Sequence, residues 1–243
     1  PAMAIVGGRG AIAAIVLVVY LRRPKFTWSV AQVGGAIAAA VTVSLFVMAT
    51  QLTSAANAIL LQYTAPLWVA VFGFWYLREK PRGIDYVTMA IIGVGMLLFF
   101  ADSLTGDNLL GNVLAAISGV TMAWMTLFMR KQKNGSPLET LLLGNILAAI
   151  IGLPFLATAS PTPKDWGILL FLGIFQLGLP FILYGYAIKR LEAMEVVLLS
   201  TLEPILNPVW VFLINGETPS PLSILGGAVV LSAALIRALV VGA

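Results

Sequence analysis

Two ionisable residues, Glu203 and Arg9, lie deep inside apolar segments of the sequence. Glu203 belongs to the stretch 201–208, TLEPILNP, in the middle of the apolar segment 191–215. At about 1.5 Å per helical residue, Glu203 lies about 18 Å from the start of its segment, and Arg9 lies about 12 Å from the nearer end of its own. An unpaired charge at this depth in a bilayer costs about 2.5–3.5 kcal/mol, so each side chain should face a partner or a polar cavity, or, for Glu203, be protonated.

The similar depth of the two charges favours a polar interior that they share. Arg9 and Glu203 can pair directly, or through water or a bound solute. Alternatively, the Arg9 guanidinium extends to the nearer membrane surface or binds free carbonyl groups of a neighbouring helix. Both interpretations are compatible with the sequence.

Helical spacing places further polar residues beside Glu203. Ser200 and Asn207 fall on the same helix face, and Trp210 follows one turn beyond Asn207. Polar groups next to an aromatic ring suit a solute that is part polar and part apolar. Ordinary hydrogen bonds between helices explain Ser200 and Asn207 equally well.

Two other apolar segments carry candidate binding residues. Gln176, Pro180 and Tyr184 share one face of the segment 165–188. Trp124 lies well inside a further segment, away from the interfacial positions where tryptophan is common. It can stack on a solute or fill the core, and the core is the simpler interpretation.

Three prolines within apolar segments are candidate hinges. Pro66, Pro204 and Pro180 each remove a backbone N–H and predict a bend in a helix. A bend turns carbonyl groups toward a cavity and lets one half of a bundle rock against the other. Static packing is the alternative, because proline is ordinary in membrane helices.

The composition assigns these residues to a membrane protein. The 243 residues are 60% hydrophobic and 10% charged, whereas soluble proteins carry about a quarter charged residues. Cysteine and histidine are both absent from the sequence, which excludes disulfides and the usual metal sites. We expect a lipid bilayer as the setting and no cofactor, no metal and no nucleic-acid partner, since no nucleotide-binding motif is visible and the net charge of +4 reflects membrane orientation.

Nine segments are long enough, at about 20 apolar residues each, to cross a membrane as helices. Because the loops between them are short, the sequence predicts an all-α membrane bundle with no soluble domain. Nearly all basic residues near the ends of the segments, including Arg130 and Arg237, fall on one side, so that side and the C-terminus are predicted to be cytoplasmic. The segments are 2–21, 28–50, 53–77, 84–101, 109–130, 138–159, 165–188, 191–215 and 221–240.

An offset of 138 residues aligns the chain with itself. The matched landmarks are Trp28 with Trp166, Pro66 with Pro204, Glu79 with Glu217, and Pro81 with Pro219. The two copies cross the membrane in opposite directions, which predicts an inverted repeat with an odd number of spans per copy. We therefore expect repeats over 1–101 and 102–243 in a 5+5 bundle, with the first helix of the first repeat missing from this chain.

The offset also relates the polar positions of the two copies. It pairs Gln62 with Ser200, and Ala65 with Glu203. Gln62 is therefore a candidate site residue, whereas Glu203 has no acidic counterpart. Glycines are expected at close helix contacts; they are Gly7, Gly8, Gly10, Gly34, Gly35, Gly93, Gly95, Gly226 and Gly227.

Both copies share an ordered pattern of motifs. A helix of small residues with a midpoint proline is followed by a glutamate and then by a glycine-bearing helix. The positions are filled by Pro66, Glu79, Pro204, Gly216 and Glu217. This pattern resembles the drug/metabolite transporter superfamily in its ten-helix form with two EamA-type repeats. One departure is Arg78, which replaces the glycine that the pattern has before the first glutamate.

The resemblance implies a secondary transporter in the bacterial inner membrane. It implies export of small organic metabolites, most of all amino acids, and the chain is most similar to bacterial amino-acid exporters, including the aromatic type. The alternatives are a facilitative, channel-like carrier or a lipid scramblase without ion coupling. An intramembrane enzyme would need a nucleophile with its base or a metal cluster, and the sequence shows neither. The oligomeric state does not follow from the sequence.

Overall fold

A computed structural model describes residues 2–104, 108–206 and 220–242. Within these ranges the regular structure is helical and no strand occurs, which confirms the predicted all-α class. The helices are α1 (Ala2–Leu21), α2 (Val30–Leu52), α3 (Ala55–Gln62), α4 (Ala65–Tyr76), α5 (Gly83–Phe100), α6 (Leu109–Lys131), α7 (Pro137–Ala159), α8 (Pro163–Phe171), α9 (Leu179–Arg190), α10 (Ala193–Ser200) and α11 (Pro221–Gly242).

Eight segments of the described chain are long and apolar enough to cross a membrane. They are α1, α2, α3 with α4, α5, α6, α7, the stretch from α8 to α9, and α11, and each corresponds to a predicted span. The remaining predicted span, 191–215, is described only as far as residue 206. Asn207, Trp210, Gly216, Glu217 and Pro219 lie outside the described residues.

The two spans that carry Pro66 and Pro204 are interrupted, where the sequence predicts bends. The first breaks at residues 63–64, between α3 and α4, and the second at Thr201, after which helix resumes over 202–206. Each break lies just before its proline. Because proline lacks the N–H that would bind the carbonyl four residues earlier, the α-helical ladder cannot continue through either position.

The predicted span 165–188 is also not one regular α-helix. Between α8 and α9 the chain forms wider π-helical turns over Leu172–Gly178, and Pro180 follows at the start of α9. The missing N–H of Pro180 would otherwise bind the carbonyl of Gln176. Widened turns of this kind are frequent at functional sites, and this one carries Gln176.

Glycines set the closest helix crossings. The helices pack with α1 along α7, α2 along α6 and α7, and α5 along α11. At the α1–α7 crossing, a Cβ on Gly7 would overlap with the backbone of Gly152. At the α5–α11 crossing, a Cβ on Gly226 would overlap with the backbone of Gly95 and Phe99. Close approach of small residues stabilises helix pairs in lipid, where there is no hydrophobic driving force between helices.

Gly93 departs from the predicted set of contact glycines. An added Cβ at this position would meet no atom within 4 Å, although Gly95, two residues further, is tightly packed against α11. The two residues point to different sides of α5, so only Gly95 faces the partner helix. The expectation of a close contact at Gly93 was wrong.

The offset of 138 residues relates the two residues of one hydrogen bond between α5 and α11 to the two residues of another. Arg237 Nε donates to Asp85 Oδ1 over 2.8 Å, and Ser223 Oγ donates to the Phe99 carbonyl over 2.8 Å. The offset relates Asp85 to Ser223 and Phe99 to Arg237. Such an exchange is expected where equivalent helices of inverted copies face each other; the boundaries of the two repeats stay a prediction.

We predict that Gly226→Ala destabilises the bundle. The added methyl group would collide with the α5 backbone, and forcing an extra carbon into a packed interior costs about 1–3 kcal/mol. The measurement is the midpoint of thermal unfolding in detergent. Gly93→Ala is the matched control, because it adds the same group where space is free and should leave the midpoint unchanged or raise it. Equal midpoints for the two variants would contradict the close α5–α11 crossing.

Candidate functional site

A cavity of about 420 Å³ lies among the middle portions of the helices. Its volume is in the range of sites for small organic molecules. Residues from both halves of the chain line it, on α1, α2, α3, α6, α9, α10 and the turns next to them. The polar lining residues are Arg9, Thr42, Gln62, Tyr63, Gln176, Tyr184, Ser200 and Glu203. The rest of the wall is aliphatic, aromatic or proline, so the cavity is amphipathic.

The structure brings most of the candidate site residues together. Six of them line the cavity: Arg9, Gln62, Gln176, Tyr184, Ser200 and Glu203. The candidate hinges Pro180 and Pro204 line it as well, whereas Pro66 is buried outside it in the first turn of α4. Trp124 is not part of the lining, and Asn207 lies outside the described residues.

Arg9 is buried, with 7% of its surface exposed. Its Nη1 donates to Gln176 Oε1 over 3.1 Å, and its Nε has no hydrogen-bond partner among the described residues. Both Arg9 and Glu203 line the cavity, but no ion pair joins them in the described structure. The direct pair considered from the sequence is therefore not formed, and burial excludes a guanidinium that extends to the membrane surface.

Glu203 is exposed to the cavity, and Tyr63 lines the same cavity. Tyr63 stands at the break between α3 and α4. The sequence analysis missed Tyr63. The offset of 138 residues relates Tyr63 to Thr201, where the helix before Pro204 also breaks. This correspondence was the sequence signal that could have identified Tyr63.

Several other polar groups in the wall are already bonded to protein. The hydroxyls of Tyr184 and Thr126 lie 2.5 Å apart, and Ser200 Oγ donates to the Val196 carbonyl over 2.9 Å. Gln62 Nε2 donates to a hydroxyl oxygen on α6 over 3.2 Å. The hydrogen bonds of Tyr184 and Gln62 join helices, as expected for polar residues in membrane bundles, whereas that of Ser200 stays within α10.

Trp124 belongs to an aromatic cluster next to the cavity. Its ring stacks on Phe72 with 5.0 Å between centroids and contacts Tyr76 and Phe128 at 5.7 and 5.4 Å. Pairs with this geometry stabilise packing beyond the area that they bury. The structure therefore agrees with the core interpretation and places Trp124 away from a solute in the cavity.

The described residues offer no evident metal site. Among them, no group of three or more histidine, cysteine, aspartate or glutamate side chains lies close enough together to hold a metal ion. The chemistry available in the cavity is therefore that of charge, amide and hydroxyl groups around a solute.

Comparison with protein families identifies the family that has this architecture. The profile of the EamA-like transporter family matches residues 1–101 and 109–238. The chain belongs to the EamA-like transporter family. This membership confirms the resemblance to EamA-type transporters that the sequence motifs indicated.

Other members similar to this EamA-family chain are named as transporters. An uncharacterized transporter of Archaeoglobus fulgidus is 25% identical over 197 residues, which cover 80% of this chain and 71% of that protein. The threonine/homoserine exporter RhtA of Escherichia coli K12 is 25% identical, and RhtA of Salmonella typhimurium LT2 is 28% identical. Both RhtA matches cover 79% of this chain and 65% of the exporter, so this chain spans just under two thirds of their length.

A solved structure shows the same EamA-type fold. It superposes with a TM-score of 0.81, at 19% identity, over 99% of this chain and 88% of its own. At this identity the likeness concerns the fold alone.

Ion pairs of largely buried side chains join the helices at the end of the EamA bundle that carries most of the basic residues. Arg130 Nε donates to Glu79 Oε1 over 2.7 Å, and Arg130 Nη1 donates to the Ile188 carbonyl over 3.1 Å. Glu79 Oε2 in turn accepts a hydrogen bond from Ala193 N over 3.1 Å. This cluster ties the end of α6 to α9, α10 and the loop between α4 and α5.

A second cluster at the same end is centred on Arg237. Its Nε and Nη1 donate to Asp85 Oδ1 and Glu195 Oε1 over 2.8 and 3.1 Å. The other oxygens of these carboxylates accept hydrogen bonds from the backbone N–H groups of Arg82 and Glu192. Asp85 and Glu195 therefore cap their own helices and bind α11 at the same time.

The burial of these arginines is a finding of the structure. Arg130 and Arg237 are 8% and 4% exposed, although the sequence pattern grouped them with the loop charges. Their position at helix ends is compatible with either a solvated or a buried side chain. The deciding feature is the set of carboxylates on neighbouring elements, which no local pattern reveals.

We predict that Arg237→Gln strongly destabilises the protein. Removing one partner from a buried ion cluster leaves carboxylates unpaired and costs about 3–5 kcal/mol. Arg82→Gln is the control, since its pair with Glu192 is partly exposed at 3.8 Å, and exposed pairs contribute about 0–1 kcal/mol. Thermal unfolding midpoints in detergent distinguish the two, and a small loss for Arg237→Gln, similar to that of the control, would argue against the cluster.

Proposed function

We propose that this protein is a secondary transporter that exports small organic metabolites, amino acids above all, by alternating access. The observation that carries the proposal is the cavity of about 420 Å³ among the mid-portions of the helices, whose wall combines a buried arginine, an accessible carboxylate and apolar side chains. Such a wall suits a small solute with charged and apolar parts. Membership of the EamA-like transporter family supports the same class of function.

Amino acids are the first solutes to test. The threonine/homoserine exporters of two bacteria are among the relatives of this chain. Solutes of this size fit the cavity volume, and the apolar part of its wall leaves room for side chains other than that of threonine. The sequence resemblance to exporters of aromatic amino acids makes phenylalanine a second useful probe.

The ion clusters support a conformation closed at the end that we propose to be cytoplasmic. Arg130 and Arg237 tie five helices and the loop between α4 and α5 together there, below the level of Glu203 and Arg9. Alternating access requires that contacts at one end break while those at the other end form. The breaks near Pro66 and Pro204 are the proposed flexible points of this motion.

Transport measurements test the proposed function and the role of Glu203 together. We expect counterflow of radiolabelled L-threonine, L-homoserine or L-phenylalanine in proteoliposomes containing the full-length protein. If Glu203 couples transport to protons, an imposed pH gradient drives uptake in the unaltered protein, and Glu203→Gln loses this response. Arg23→Gln, on the exposed loop after α1, serves as the control.

The outcomes separate the candidate mechanisms. Saturable, stereoselective counterflow without any response to the pH gradient would identify a facilitator and exclude proton coupling. Flux that does not saturate would contradict a carrier and favour a channel-like pathway. No counterflow of any amino acid would contradict the proposed substrate class.

Arg130 is predicted to control access to the cavity from the cytoplasm. The 243-residue sequence contains no cysteine, so Ser200→Cys places a single thiol in the cavity wall. In inside-out vesicles, a membrane-impermeant maleimide should label this thiol slowly, and the additional change Arg130→Gln should accelerate labelling. Arg82→Gln, which alters an exposed pair, should not. Rapid labelling before any change at Arg130 would contradict closure at this end.

A further inference from the structure

The buried guanidinium of Arg9 has fewer partners than its charge requires. It is 7% exposed, its Nη1 bonds a neutral amide of Gln176, and its Nε is unpartnered among the described residues. A buried cation without a counter-ion is strongly unfavourable. By contrast, the buried arginines Arg130 and Arg237 each bind at least one carboxylate.

The missing partner of Arg9 is best supplied from the cavity. Arg9 lines the cavity, and no carboxylate of the described chain lies within salt-bridge distance of it. A guanidinium presents parallel N–H donors that match the two oxygens of a carboxylate. Gln176 binds the group through Nη1 alone, so a carboxylate that enters the cavity with a solute would supply the missing counter-charge.

Glu203 is the complementary group in the same cavity. It is exposed to the cavity, and among the described residues no lysine or arginine lies within salt-bridge distance of it. The neutral side chain of Tyr63 lines the cavity together with Glu203. A carboxylate without a cationic partner can accept hydrogen bonds from an ammonium group.

We propose that the cavity recognises zwitterions, with the carboxylate of the solute bound by Arg9 and its ammonium group bound by Glu203 and Tyr63. Gln176 acts as a positioning residue that orients the Arg9 guanidinium. This inference rests on the proposed transport function and deepens it: the required feature is an α-amino acid with both charged groups free, and the apolar wall accommodates the side chain.

The test measures binding to the full-length protein by isothermal titration calorimetry in detergent. The probes are L-threonine, L-phenylalanine, their two amides and 3-phenyllactate. L-Threoninamide and L-phenylalaninamide lack the carboxylate, whereas 3-phenyllactate lacks the ammonium group. We expect the amides and 3-phenyllactate to bind about tenfold to hundredfold more weakly than the amino acids, the usual effect of losing a hydrogen bond to a charged group.

Variants assign the two ends of the solute. Arg9→Gln should abolish the preference for amino acid over amide, and Glu203→Gln should abolish the preference for phenylalanine over 3-phenyllactate. Arg9→Lys, which keeps the charge but lacks the planar fork, should retain part of the preference. Arg23→Gln removes the same charge from an exposed position and should retain all of it.

The result that overturns this inference differs from the result that overturns the proposed function. If the unaltered protein binds amino acids and their amides equally well, or if Arg9→Gln folds and keeps the preference for the amino acid, Arg9 does not bind the carboxylate of the solute. The proposed transport of amino acids would still stand. If the unaltered protein neither binds nor transports any amino acid, both are wrong. The comparison of acid with amide needs no variant, so a variant that fails to fold leaves the test decisive.

Discussion

Partnering of charge inside a membrane is the constraint on which this structure depends. A buried arginine in lipid is tolerated only if its charge is balanced or its donors are bonded. Arg130 and Arg237 meet this requirement with carboxylates from other helices. Arg9 meets it only in part, through the amide of Gln176. The two kinds of site differ accordingly. Arg130 and Arg237 join helices in this conformation, whereas Arg9 keeps hydrogen-bond donors that a bound solute can use.

The backbone geometry positions these charges. Backbone contact between Gly7 and Gly152 packs α1 on α7 and fixes the helix that carries Arg9. The π-helical turns before Pro180 carry Gln176 to the same cavity. The helix breaks before Pro66 and Pro204 place Tyr63 and Glu203 in the cavity wall. Such backbone is permitted at membrane depth only where protein or a polar cavity satisfies it.

The ion clusters and the irregular backbone occupy different parts of the bundle. Ion clusters join the helices at one end, whereas the π-helical turns and the helix break before Pro204 lie at the cavity that Arg9 and Glu203 line. The aromatic cluster around Trp124 packs between α4 and α6, outside the cavity lining.

The sequence by itself determined the membrane class, eight of the described spans and the depth of Arg9 and Glu203, because hydropathy and helical rise are local properties. It also identified six residues that line one cavity, since polar side chains in lipid must face the interior. Only the tertiary structure decided that Arg9 binds Gln176 and not Glu203, and that Tyr63 lines the same cavity as Glu203. These partners come from distant segments, and their contact depends on how helix breaks and glycine crossings rotate one helix against another.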